Sequence, residues 1–476
     1  MRCQFMDVIP HLQSERIVER SIDSKWMRAY YKRDLVDASE SSSLAKMTLK
    51  RPIAIITIVT EEVFTLPVDL RILEHFSDAN PSSQLFRLEI QYWGKEDEGL
   101  NTPINSSLSV TLDRAQLGTT TSVAGGCALA RTRLWLNGQE QTLNKRVKTV
   151  LQLMLQWAER VHGPQASQHV HIVSINSFPT AAGLASSAAG YACLVAALAE
   201  FYGLTKAHEE FSGQFSSIAR QGSGSACRSL VGGFVAWQKG ERPDGQDSIA
   251  VQVADDRHWP QLCAIVCVVN DARKDTSSTS GMQTTKATSP FLTFRAKHLV
   301  EDRMKTMRRA IKARDFATFG TLTMQESNQF HATCLDTMPP IFYLNNVSHQ
   351  LIRLVHRYND QAGRVQAAYT FDAGPNAVLF VEEKHVQELV ALVHHCFPTS
   401  HMPIQSSMPI DRTLSPALLE RMQANGPSGK VSKLPHVPDS VKMMYISRVG
   451  GGTRVLAAHE ALIDQATGEP LPSARY

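Results

Sequence analysis

The stretch from Val170 to Phe201 limits the possible folds more than any other part of the chain. Val170 to Ile175 reads as a strand. A turn-rich stretch follows, and Leu184 to Phe201 is apolar nearly all round, the pattern of a buried helix. Between them lies Pro179-Thr180-Ala181-Ala182-Gly183-Leu184-Ala185-Ser186-Ser187-Ala188-Ala189-Gly190. Small side chains there let an anion approach the backbone, where free N–H groups and the helix dipole favour negative charge. Ser186 and Ser187 add hydroxyls for phosphate or Mg²⁺. No lysine follows a Gly-x-x-x-x-Gly frame, so this is not a Walker A loop. Composition alone fits equally well a small-residue helix packed tightly on a sheet.

The flanking segments extend an α/β pattern. Leu262 to Val269 reads as a strand, and Val300, Met304, Met307 and Ile311 mark an amphipathic helix. Leu351, Leu354 and Val355 mark another. Ala367 to Phe371 and Ala377 to Val381 read as strands around a tight turn. Val386, Leu389, Val390 and Val393 give a last helix. Residues 399–440, rich in Pro, Ser and Met, are expected to loop over the surface. Strands and helices in two batches predict an α+β protein with its cleft between two domains.

The 476 residues suffice for two domains, and 43% hydrophobic with 20% charged residues is ordinary for a soluble globular chain. No apolar run is long enough to span a bilayer, and the first residues lack a signal-peptide pattern. A net charge of +4, well mixed, lacks the basic stripe of a duplex-binding surface. Neither membrane nor nucleic acid is therefore an expected partner, and a small polyanionic substrate would suit the charge. The eight cysteines are scattered and read as reduced thiols, expected in the cytoplasm. No metal-ligand spacing is present, the histidines included.

Several motifs, in order along the chain, share one family wording. They are Tyr92-Trp93-Gly94-Lys95, Pro103-Ile104-Asn105-Ser106-Ser107-Leu108-Ser109, Trp135-Leu136-Asn137-Gly138, and Asn176-Ser177-Phe178-Pro179 through Ser187-Ala188. Gly222-Ser223-Gly224-Ser225-Ala226-Cys227-Arg228, Ser327 to Ala332 and Tyr369-Thr370-Phe371-Asp372-Ala373-Gly374-Pro375-Asn376-Ala377 continue it. Together they resemble the diphosphomevalonate decarboxylases of the GHMP kinase superfamily, from about Gln91 to Phe397.

That resemblance implies a two-lobed GHMP kinase fold, often a homodimer. It also implies a reaction in which ATP, with Mg²⁺, phosphorylates the tertiary hydroxyl of mevalonate 5-diphosphate. Phosphate then leaves with CO₂ to give isopentenyl diphosphate. Asp372 is implied as the catalytic carboxylate, although an isolated Asp-Ala-Gly-Pro is more often a plain turn. Arg228 would grip an anionic group, where a lone arginine would default to a surface ion pair. Tyr92, Trp93, Gly94, Lys95, Ser223, Gly224, Ser225, Ala226 and Cys227 would form the substrate surface, and Arg146 and Thr279 match more loosely. Pro179, Ala182, Gly183, Leu184, Ala185, Ser186 and Ser187 would hold the nucleotide. The expected division is an N-terminal extension (1–83), partly disordered, an ATP-binding domain (84–258) and a C-terminal domain (259–476).

The chain departs from the family just before Tyr92. Phe86 stands where the family has asparagine, and Gln91 where it has a substrate-binding lysine. Residues 61–90 carry no family wording and read as an insertion or divergent replacement. Two alternatives follow: a small-molecule kinase of the same superfamily, and a catalytically weakened GHMP-fold binding protein. Release of CO₂ separates the first from a decarboxylase.

Overall fold

The computed structural model describes residues 54–60, 87–113, 117–126, 129–164, 169–177, 186–269, 275–424, 426–428, 433–457, 459–464 and 467–474. Its larger sheet has six strands, ordered Thr453–Val455, Ala54–Thr60, Thr119–Gly125, Val170–Asn176, Arg133–Leu136 and Gln139–Gln141. Alternation along Val170–Asn176 assigns its two faces. Val170 and Ile172 join the core formed with helices Lys145–His162 and Ser186–Phe201. Val173 and Ile175 pack on the other side with Trp135, Ala461, Leu462, Ile463 and Ala474. A strand covered on both faces has no wet side, which is why the run reads almost continuously apolar.

A second sheet orders Ala250–Ala254, Phe234–Trp237, Ser107–Val110 and Arg87–Ile90. The third orders Ala367–Phe371, Ala377–Glu382, Leu262–Val268, Met443–Arg448 and Ile404–Ser406. Helices Val300–Ala313, Phe316–Leu335, Asn346–Ala362 and Val386–Cys396 cover it with their apolar stripes. Each strand and helix foreseen from periodicity is present, with ends shifted by a few residues at most.

Strand pairing and packing cross the expected domain boundaries in three places. Ala54–Thr60, assigned to the extension, pairs along its whole length with Thr119–Gly125. Thr453–Val455, assigned to the C-terminal domain, pairs with Ala54–Thr60 on its other edge. The largest core joins Ile90, Leu108, Val110 and Phe234 from before residue 259 to the third sheet beyond it. Short strands are recruited by pairing partners far along the sequence, and a three-residue strand leaves no periodic signal. The stretch 399–440 is likewise not all surface loop. Ser415 caps helix Pro416–Gln423, with proline in the first turn, and Leu418 and Met422 enter the largest core. Apart from residues 54–60, the extension expected over residues 1–83 lies outside the described residues, as does Phe86.

Candidate active site

Tyr92 follows the strand Arg87–Ile90, where the chain leaves the second sheet. Gly94 turns it back at φ +88°, and a Cβ there would lie 2.5 Å from Ile104, so both conformation and space require glycine. This turn brings the Tyr92 ring to 4.8 Å from Trp237, edge to face. Its hydroxyl shares a 3.3 Å hydrogen bond with Ser225 Oγ. Gly224 allows that approach, because a Cβ would sit 3.0 Å from Trp237 and 3.1 Å from the Tyr92 oxygen.

Arg228, on the short helix Ala226–Ser229, is fully buried beneath this pair. It donates to Ser107 Oγ at 2.6 Å and to Ser225 Oγ at 3.1 Å. Its guanidinium carbon lies 5.5 Å from the Tyr92 ring and 5.3 Å from that of Trp237. A surface ion pair, the default for an isolated arginine, is not what the fold gives it. Burial lifts the Tyr92 phenol above its ordinary value and the Asp372 carboxylate adds to this, while Arg228 and the Ser225 bond oppose it. Asp372 pushes the Tyr343 phenol up too, adding to its burial.

Asp372 is half-buried where Ala367–Phe371 runs into a tight turn, closed by Gly374 N–H donating to the Asp372 carbonyl at 2.6 Å. Asn376 Oδ1 accepts from Val269 N at 2.8 Å, and the Pro375 carbonyl accepts from Ser348 Oγ at 3.0 Å. The turn reading of Asp-Ala-Gly-Pro is thus correct for the backbone, and the carboxylate is felt electrostatically by the two phenols.

Positive charge gathers nearby. Burial lowers the Lys95 ammonium below its ordinary value, Arg146 pushes it further down, and Glu98 only partly opposes them. Two cations that repel each other at a partly dried surface favour an anion there. Arg146 is the second residue of helix Lys145–His162, whose cap Asn144 accepts from Val147 N and from Tyr191 Oη. Ser187 Oγ, at the exposed start of the Ser186–Phe201 helix, lies 3.2 Å from Ser223 Oγ, linking the small-residue helix to the Ser223–Arg228 turn. Pro179, Ala182, Gly183, Leu184 and Ala185 lie outside the described residues.

Other expected substrate residues face packing. Trp93 is 4% exposed, donates to Thr285 Oγ1 at 2.9 Å and sits 4.8 Å from Phe330. Ala226 and Cys227 are fully buried, and burial pushes the Cys227 thiol up to about 12. These three contribute shape and backbone. Thr279 opens helix Ser278–Thr288, capped by Ser277, and Trp93 docks that helix.

One residue was missed as a site neighbour, and another takes a different part from the one expected. His331 is buried, held neutral with its value pushed down to about 3, and hydrogen-bonded to the Phe371 backbone. Gln91, expected at a substrate contact, is 1% exposed and donates through Nε2 to the Phe371 carbonyl at 2.8 Å. His331 stood inside a family motif, whereas the partner of Gln91 lies 280 positions away and leaves no local trace.

Mixed sheets and helices in this arrangement define a GHMP-type α+β protein. A family model described as diphosphomevalonate decarboxylase-like N-terminal domain matches residues 89–250. Another, mevalonate 5-diphosphate decarboxylase C-terminal domain, matches residues 264–456. The chain belongs to the diphosphomevalonate decarboxylase family. It is 46% identical over 396 residues to diphosphomevalonate decarboxylase of Bos taurus, covering 81% of this chain and 95% of that one. A solved mevalonate diphosphate decarboxylase from Trypanosoma brucei superposes with TM-score 0.71 at 37% identity, covering 86% of this chain and all of its own. A further structure, MDDEF in complex with MVAPP, AMPPCP and magnesium, gives TM-score 0.59 at 28% identity over 85% of this chain and 99% of its own.

Proposed function

We propose that the chain carries out the ATP-dependent decarboxylation of mevalonate 5-diphosphate to isopentenyl diphosphate, with ADP, phosphate and CO₂ as the other products. The observation that carries this reading is the cluster of Tyr92, Ser225 and Arg228 within electrostatic reach of the Asp372 carboxylate. A decarboxylase of this kind holds a carboxylate, a diphosphate and a triphosphate together, so it needs a base among cations and hydroxyl donors.

Lys95, Arg146 and Tyr92 take the diphosphate, with Glu98 moderating their charge. Ser223 and Ser225 face the carboxylate end, and Arg228 sets the potential beneath them. Asp372 orients the tertiary hydroxyl or accepts its proton. Ser187 and the N-terminus of its helix suit triphosphate and Mg²⁺, because hydroxyls and N–H groups are hard-oxygen partners. Bound there, ATP with Mg²⁺ would supply the phosphoryl group that makes the tertiary oxygen a good leaving group.

The test is purified protein with ATP, Mg²⁺ and mevalonate 5-diphosphate, assayed for ADP, phosphate and CO₂. Equal yields of all three support the reading. ADP without CO₂ makes the chain a kinase, and no ADP makes it a binding protein.

The same reading includes a homodimer in the cytoplasm. Supporting the first, Phe291, Phe294, Leu335, Met338 and Phe342 are each more than half exposed on neighbouring elements. Hydrogen bonds from Ser289 to Asp336 and from Met338 N to Thr288 tie those elements together. An apolar surface of that kind seeks a partner. The six described cysteines are buried thiols, which suits a reducing compartment.

A further inference from the structure

Gln91 connects two parts of the site. Its side chain donates from Nε2 to the Phe371 carbonyl at 2.8 Å and to Thr370 Oγ1 at 3.3 Å. Its own carbonyl accepts from Arg295 Nη2 at 2.7 Å and from Asn105 Nδ2 at 3.1 Å. Arg295 is paired with Glu326, which also holds Arg303, and Glu326 is fully buried. Main chain and side chain are therefore both fixed, the first by the helices Pro290–His298 and Phe316–Leu335 and by Asn105.

The residues next in sequence to these anchors are the site residues. Gln91 continues directly into Tyr92, and Phe371 into Asp372. Phe371 is held from its other side as well, its N–H donating to Ser327 Oγ at 3.0 Å. With 1% of its surface exposed, Gln91 cannot serve the solvated anion contact that the family's lysine implied. A neutral amide instead donates to a buried carbonyl that His331 also reaches, adding a second anchor there.

We propose that Gln91 is a positioning residue that fixes the separation between the Tyr92 phenol and the Asp372 carboxylate. The inference rests on the reading of Asp372 given above. Displacement of about 1 Å at a reacting group can cost about a hundredfold in rate, so one buried amide can govern turnover without touching substrate.

The test compares the unmodified chain with Gln91→Leu and Gln91→Lys. In Gln91→Leu, which keeps bulk and loses the donor, kcat falls about ten- to a hundredfold. The KM values for mevalonate 5-diphosphate and ATP stay within about twofold, because no substrate contact is removed. Gln91→Lys restores a donor and recovers most of the lost kcat with KM again unchanged. A rise in substrate KM at constant kcat in Gln91→Leu, or a marked fall in substrate KM in Gln91→Lys, would overturn the proposal by making residue 91 a substrate contact. Unchanged kinetics in Gln91→Leu beside an active parent would overturn it while leaving the proposed function standing. Should Gln91→Leu not fold, Ser327→Ala releases Phe371 from the other side and carries the same expectation. Crystal structures decide the point even if the parent released no CO₂, an outcome that sinks the function reading alone. A wider Tyr92-to-Asp372 separation in Gln91→Leu supports the proposal, and an unchanged one overturns it.

Discussion

Asp372 ends a strand whose preceding carbonyl is already engaged, so its carboxylate is placed by backbone bonds and remains available to substrate. Asp372→Asn keeps shape and removes charge. Its kcat should fall about 10²- to 10⁴-fold with the melting temperature nearly unchanged, measured by CO₂ release and calorimetry. Arg228 is different because it is fully buried. Arg228→Ala would lose two charge-assisted bonds and two ring contacts together. Arg228→Ala should therefore cost roughly 3 kcal/mol or more in urea unfolding as well as activity. His331 supplies a pH signature. Its value is pushed down to about 3 in the fold, so the unfolded chain binds the extra proton first as pH falls. The stability it contributes is complete above its ordinary value near 6.5 and drains away as pH drops toward 3, by up to about 1.4 kcal/mol per pH unit. His331→Phe should flatten that part of the stability–pH curve, and an unchanged slope would assign the acid sensitivity elsewhere.

At the scale of elements, legibility followed burial. Ser186–Phe201 and Val170–Asn176 were plain because both faces of a buried element must be apolar. Ala367–Phe371 and its turn were plain for the same reason, and the family wording picked out Asp372 within them. Gln91 was obscure because its meaning lies in a partner strand, and Trp93 because a motif residue can serve packing as readily as chemistry. Pro416–Gln423 could have been found from Ser415-Pro416 followed by Leu418 and Met422 four residues apart, but surrounding Pro and Ser hid it. The last strand was the hardest to read and is the easiest to test. Removing residues 453–476 would uncover Val173, Ile175 and Trp135 and unpair one edge of Ala54–Thr60. Such a truncation should melt well below the full chain and bind a hydrophobic dye, while equal melting temperatures would show the tail to be dispensable.

At the scale of the molecule, the exposed phenylalanines set a test of assembly. Phe342→Ser combined with Met338→Ser should convert a dimer to a monomer in light scattering while leaving the melting curve close to the parent's, because both residues are more than 70% exposed. A parent that is already monomeric at micromolar concentration would defeat the homodimer reading. The return of residues 453–474 to the six-stranded sheet carries a different consequence, for the order in which the protein comes into being. During synthesis domains usually close in the order they emerge from the ribosome. Here Ala54–Thr60, the first described strand, keeps one edge unpaired until one of the last emerges, and the sheet's second face stays bare until Ala461 to Ala474 arrive. A nascent chain arrested before residue 453 would thus present chaperones with an open apolar sheet, however complete its third sheet had become.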